Sequence, residues 1–182
     1  TYAAELLTRA GIGRLLLIDR DFVELSNLPR QTLFTEADIK MPKTEAALKR
    51  LKEINSEIKI EAKNIHLHSQ NIALLRDYDL ILDCTDNLKT RFLINEFCHK
   101  NKLPWIYAAV IKKIGYVMPI TKPCLSCFLQ EANLETCETS GVLNTAVATI
   151  AALQVNLAYD LLQGKKIRQL IKIDLNNYEI TH

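Results

Sequence analysis

The stretch Leu15 to Gln31, LLLIDRDFVELSNLPRQ, decides the fold. An unbroken apolar run, Leu15 to Ile18, stops at Asp19, and the residues beyond it are polar and include Asn27, Arg30 and Gln31. A parallel strand covered on both faces reads this way when its carboxyl end opens onto a ligand site. In doubly wound α/β sheets, ligands sit just beyond such strand ends, where an acidic side chain can take a ribose hydroxyl. A second run, Leu80 to Leu82, ends in Asp83-Cys84-Thr85-Asp86-Asn87. Two strands tipped with acid point to one shared pocket.

Outward from these strands, apolar runs alternate with helical periods. Helices are expected over Thr1 to Ala10, closed by Gly11 and Gly13, over Lys43 to Ile54 behind Pro42, and over Leu88 to Asn101 capped by Asn87 or Asp86. A short helix from Ser69 to Arg76 begins on a serine cap. The long run Thr145 to Leu162, after Asn144 and before Gly164, is apolar nearly all round and so is expected to be buried. Ile58 to Ala62, Pro104 to Val110 and Gly115 to Ile120 read as strands, and Asn176-Asn177 as the turn of a closing hairpin. The fold class is α/β: a doubly wound, mostly parallel, Rossmann-like sheet with helices on both faces and antiparallel strands toward the C-terminus.

The chain's 182 residues, 48% of them hydrophobic, suffice for one ordinary domain. A net charge of +2 is too small to argue for a nucleic-acid surface. No uninterrupted apolar stretch reaches the roughly 18 residues of a membrane span, so the expectation is a cytoplasmic protein with neither nucleic-acid nor membrane partners. Five cysteines, an odd number, fit reduced thiols better than a disulfide framework.

Several side chains admit two readings. Asp19 is either a ribose contact or the cap of the next turn. Arg30 and Lys43 are either solvated charges or a planar fork and a point charge suited to a triphosphate. Asp86 is either a helix cap or, left unpaired beside phosphate, a hard oxygen ligand for Mg²⁺. Cys124 and Cys127 supply half of a tetrahedral zinc site. Cys137, between Glu135 and Glu138, is a thiol in a polar loop, while Cys84 and Cys98 read as small core residues. No G-x-G-x-x-G can be assembled from the five glycines.

Taken together, IDRDFVELSNLPRQ, Pro42-Lys43, DCTDN at Asp83 to Asn87, PCLSC at Pro123 to Cys127 and ETCETSGVL around Cys137 resemble the ThiF/MoeB (ubiquitin-activating-like) adenylyltransferases, over essentially the whole chain. The resemblance implies an enzyme, usually a homodimer, that uses Mg-ATP to adenylate the C-terminal glycine carboxylate of a ubiquitin-like sulfur carrier. The pathways served would be molybdopterin, thiamine or tRNA thiolation. Asp19 would then bind ribose, with Ser26, Asn27, Arg30, Gln31 and Lys43 at the phosphates. Asp86 would hold magnesium with Asn87 beside it, and Cys124 and Cys127 would be two of four zinc ligands. Cys137 matches a cysteine used by some members in persulfide or acyl transfer, which brings in a sulfur donor protein. By the same likeness residues 1–182 form a single domain, with the family's glycine-rich loop expected before Thr1 and its second cysteine pair after His182. Pro29 stands where glutamine is common in the family. A non-catalytic docking subunit is the alternative. An NAD-dependent dehydrogenase ranks last, because it explains neither the cysteine pair nor the Arg30/Lys43 pair.

Overall fold

A computed structural model describes residues 1–121, 125 and 141–182. These residues form two compact units, Thr1–Leu67 and His68–His182.

In the first unit, helix α1 (Tyr2–Arg9) buries Ala3, Leu7 and Thr8, and Gly11 follows at φ +75°, a left-handed turn that glycine adopts without strain. Strand β1 (Arg14–Asp19) pairs in parallel with β2 (Lys59–Asn64), with Asp19 opposite Asn64. Helix α2 (Lys43–Ile54), entered through Pro42, lays Ala46, Ala47 and Leu51 against Val23, Leu33 and Phe34. Leu15 and Leu17 of β1 pack on this cluster only partly buried. β1 is therefore half-buried rather than covered on both faces, with β2 as its one paired neighbour among the described residues.

In the second unit, β3 (Ile81–Leu82) pairs in parallel with β4 (Trp105–Ile111), which pairs antiparallel with β5 (Ile114–Ile120). Strands β6 (Ile171–Asp174) and β7 (Glu179–Thr181) continue the sheet antiparallel. The parallel pairings thus come first and the antiparallel ones toward the C-terminus, as expected. Helix α3 (Leu88–Asn101) ends on Lys102 in the left-handed region, one residue before the apolar approach to β4. Helix α4 (Asn144–Leu162) packs Ile150, Leu157 and Ala158 on Ile106, Val117 and Ile173.

Four local readings are corrected. No helix starts at Ser69: a 3-10 helix begins at Ile72, and Asn71 closes the turn before it by accepting from the His68 N–H at 2.8 Å. Asn144 is the first residue of α4 rather than its cap, its Oδ1 taking the Thr145 N–H at 2.8 Å. α4 is long and apolar enough in composition to cross a membrane, yet it is buried along one face only, through Ala146, Ile150, Gln154, Val155, Leu157 and Ala158. The last hairpin turns through Leu175 to Tyr178 rather than through two residues, because the Asp174 carboxylate ties down Asn176 N–H and Nδ2, each at 2.8 Å.

Candidate active site

In the first unit the connection from β1 to α2 carries six of the expected residues. It is a built loop: the Val23 N–H donates to the Met41 carbonyl at 2.8 Å and the Lys40 N–H to the Val23 carbonyl at 2.9 Å, so its two ends run together. At the strand tip, one end of the Asn64 carboxamide lies 3.1 Å from the carbonyls of both Asp19 and Arg20, an arrangement that is satisfied when its nitrogen faces them. Asp19 Oδ1 accepts from the Asp21 N–H at 2.9 Å. The turn-capping reading of Asp19 is therefore realised by one carboxylate oxygen, and Oδ2 carries no bond among the described residues. Asp21 in turn accepts the Lys43 N–H at 2.9 Å and stands 3.4 Å from Lys43 Nζ. The Lys43 side chain is 12% exposed, so this half-buried ammonium sits at the helix start with the Asp21 carboxylate, 3.4 Å away, as its partner among the described residues.

The remaining four residues form a second group on the same loop. Asn27 is buried and spent on the turn: its Oδ1 accepts from the Glu24 N–H at 3.2 Å and its Nδ2 lies 3.4 Å from Ser26 Oγ. Arg30 donates from one guanidinium nitrogen to the Ser26 carbonyl at 2.7 Å, which fixes the side chain and leaves donors of its fork uncommitted. Gln31 hangs from the Asn27 carbonyl through its N–H at 3.0 Å, and its side-chain Oε1 is buried without a hydrogen-bond partner among the described residues. A buried acceptor left unmade costs about 1–3 kcal/mol, and proteins tolerate it chiefly where a ligand or water completes it. The loop therefore offers two cations, a strand-tip carboxylate oxygen and an orphan acceptor, a donor set that fits a phosphorylated nucleoside.

In the second unit the loop between β3 and α3 settles which residue caps the helix. Asn87 Oδ1 accepts from the Thr90 N–H at 2.9 Å, so Asn87 is the cap. Asp86 is exposed and makes no hydrogen bond or ion pair among the described residues. Its carboxylate oxygens are thereby left uncommitted among the described residues, and an uncommitted carboxylate is a hard oxygen ligand able to contribute to a divalent-cation site. Asp83 is different in kind. It is fully buried, and its Oδ1 accepts from the Thr85 N–H at 2.9 Å and Thr85 Oγ1 at 2.7 Å, while Arg91 Nε donates to its Oδ2 at 3.1 Å. Burial pushes the Asp83 carboxyl above its ordinary range, with the Arg91 guanidinium and the Thr85 bonds pulling the other way.

Sequence reasoning missed two residues here. Arg91, 5% exposed on α3, also donates to the carbonyls of Thr85 at 2.5 Å and Ala108 at 3.0 Å and lies 4.9 Å from the centre of the Tyr107 ring. Gln154, buried in α4, donates to the carbonyls of Asp83 at 2.8 Å and Ile106 at 3.2 Å. One signal was available: Asn87, Arg91 and Asn95 recur every four residues, a polar row on a helix that must bury a face.

Cys124, Cys127 and Cys137 lie outside the described residues. Leu125, between the first two, is buried and donates its N–H to Asn95 Oδ1 at 2.9 Å. Among the described residues no group of three or more His, Cys, Asp or Glu side chains gathers to hold a metal. Cys98 is a core residue as expected, its thiol pushed up to about 12 by burial. Cys84 is less simply placed: the residue is exposed, yet its Sγ lies 3.6 Å from Oε1 of the buried Gln154 and burial pushes its thiol up.

The sequence profile of the ThiF family matches residues 1–182. The chain is 39% identical over 180 residues to the sulfur carrier protein ThiS adenylyltransferase of Bacillus subtilis (strain 168), covering 94% of this chain and 54% of that protein. It is 38% identical over 169 residues to the molybdopterin-synthase adenylyltransferase of Escherichia coli (strain K12), covering 89% of this chain and 68% of that one. Among solved structures, E. coli MccB superposes with a TM-score of 0.84 at 23% identity, over 99% of this chain and 57% of that one, a likeness of fold. The chain thus spans about half the length of the B. subtilis relative.

Proposed function

This chain belongs to the ThiF family, and from that membership we propose that it serves in the ATP-dependent adenylation of the C-terminal glycine carboxylate of a ubiquitin-like sulfur carrier. A carboxylate oxygen of the carrier attacks the α-phosphorus, the bond to the bridging oxygen breaks, and pyrophosphate leaves with that oxygen and its electron pair. The product is an acyl-adenylate whose carbonyl carbon is open to a sulfur nucleophile.

The physical obstacle is charge. An anionic nucleophile must approach a polyanion, and more negative charge gathers on the leaving group. Arg30 and Lys43 supply cations, Asp19 takes the ribose, and Ser26, Asn27 and Gln31 line the phosphate-binding loop. The loop rigidity described above matters because the fixed side chains need no reorganisation when the nucleotide arrives. Asp86 would hold Mg²⁺, which would supply further positive charge to the leaving pyrophosphate. The single observation that carries the reading is that Asn87, not Asp86, caps α3, so that Asp86 is unspent.

The names of the relatives, adenylyltransferases acting with ThiS and in molybdopterin synthase, support the substrate class. The proposal extends to a homodimer in the cytoplasm, to zinc held in part by Cys124 and Cys127, and to a sulfur donor protein acting through Cys137. Exchange of labelled pyrophosphate into ATP by the full-length protein, with and without ThiS carrier, tests the activity. Carrier-dependent exchange is expected, and exchange that is absent with the carrier present would overturn it.

A further inference from the structure

We propose that Arg91 is a positioning residue for the adenylation site: its guanidinium, clamped to Asp83, sets the path of the Asp83–Asn87 loop and so the place at which Asp86 presents its carboxylate. The inference rests on the proposed role of Asp86 toward magnesium.

Arg91 grips the loop twice. Its Nε donates to the Asp83 carboxylate at 3.1 Å, and its Nη2 donates to the Thr85 carbonyl at 2.5 Å. The same Nη2 reaches the Ala108 carbonyl on β4 at 3.0 Å, and the Tyr107 ring lies under the guanidinium. The loop is therefore tied to the sheet through one planar cation. Asp83 completes the clamp by holding Thr85 through both its N–H and its hydroxyl. From behind, Gln154 holds the Asp83 carbonyl at 2.8 Å. Thus Asp83 and Thr85 are fixed on the near side of Asp86, and the capping residue Asn87 is fixed on the far side.

The arrangement leaves Asp86 exposed and, among the described residues, unbonded between two pinned neighbours. A carboxylate that must meet a small cation with strict octahedral demands gains from such a mount, because each ångström of freedom must be lost again on binding. Lysine could not replace the arginine. A single ammonium is a point charge and cannot serve the carboxylate and two carbonyls in one plane while stacking on Tyr107.

The experiment uses Arg91→Lys and Thr85→Val, with Asp86→Asn beside them, in the full-length protein. Two quantities are read: amide hydrogen exchange at Cys84 to Asn87 without nucleotide or metal, and the Mg²⁺ concentration giving half-maximal exchange with ThiS carrier. In Arg91→Lys and Thr85→Val, loop protection should fall at least tenfold and half-saturating Mg²⁺ should rise at least tenfold, with KM for the carrier unchanged. Should Arg91→Lys fail to fold, Arg91→Gln, whose planar carboxamide keeps one donor toward the loop without the charge, takes its place. An Arg91 variant that folds and whose Mg²⁺ requirement stays within twofold of wild type overturns the positioning role, provided Asp86→Asn shifts it. If Asp86→Asn leaves the Mg²⁺ requirement unchanged, the reading of Asp86 itself falls and the inference with it.

Discussion

Replacing Arg91 by methionine, which keeps most of the stem volume and removes the charge, should be among the most damaging single changes in the second unit. Asp83 is fully buried, and Arg91 is its cationic partner. Breaking a buried ion pair from one side costs about 3–5 kcal/mol, since the remaining charge is neither solvated nor neutralised. The Thr85 and Ala108 carbonyls also lose a donor. Against a typical domain stability of roughly 5–15 kcal/mol, a loss near 4 kcal/mol should move the urea midpoint far down. Adding Asp83→Asn to Arg91→Met removes the stranded charge, so the double variant should be less unstable than the sum of the singles by about 1–3 kcal/mol. The pH dependence has a definite sign. Losing the guanidinium raises the folded-state pKa of Asp83 further above its unfolded value, so stability of Arg91→Met should fall as pH rises from about 4 toward neutrality, more steeply than in wild type. Urea unfolding followed by circular dichroism, at acid and neutral pH, measures all three. A cost below about 1 kcal/mol for Arg91→Met, or strict additivity in the cycle, would refute the reasoning.

A Cβ at Gly115 would come within 2.1 Å of Ile150 Cγ1, and Ile150 is 3% exposed in the packed core, so Gly115→Ala should destabilise by about 1–3 kcal/mol; combining it with Ile150→Ala should cost less than the sum of the two singles in the same unfolding assay. Asp38 has its carboxyl held below the usual range, first by the Thr35 N–H, which donates to it at 2.8 Å. Its stabilising contribution is therefore complete above the unfolded-state pKa of about 4 and is lost as pH falls through the lowered folded value, so Asp38→Asn should flatten that acid limb of the stability curve. Cys98, with its thiol pushed up to about 12, should present on the order of one thiolate in 10⁴ at pH 8, and peptide mapping after iodoacetamide treatment should find it unmodified in the folded protein and modified in urea.

What the sequence made legible were elements with local punctuation. Asp19 ending an apolar run located β1, Pro42 opened α2, and Asn87 capped α3, because turn and cap chemistry is decided within a few residues. The burial of Asp83 was not legible: nothing in the short motif that it shares with Asp86 announces its partner Arg91. Arg91 was missed because Lys89, Thr90 and Arg91 read locally as a solvated turn of helix, whereas tertiary packing buries Thr90 and Arg91. Cys84 was half legible: it lies two residues past the last paired residue of β3, exposed as a residue while its thiol meets the buried Gln154. The all-round apolar α4 likewise overstated burial, while its single Gln154 marked the face that meets the backbone of β3 and β4.

The central claim, that a carrier carboxylate attacks the α-phosphorus of ATP, is tested most directly by oxygen tracing. ThiS carrier labelled with ¹⁸O in its C-terminal carboxylate is incubated with the full-length protein, Mg²⁺, ATP and a sulfur nucleophile, and the nucleotide products are weighed by mass spectrometry. The account predicts AMP bearing one ¹⁸O and unlabelled pyrophosphate. Label in phosphate accompanied by ADP, or AMP free of label, would contradict it.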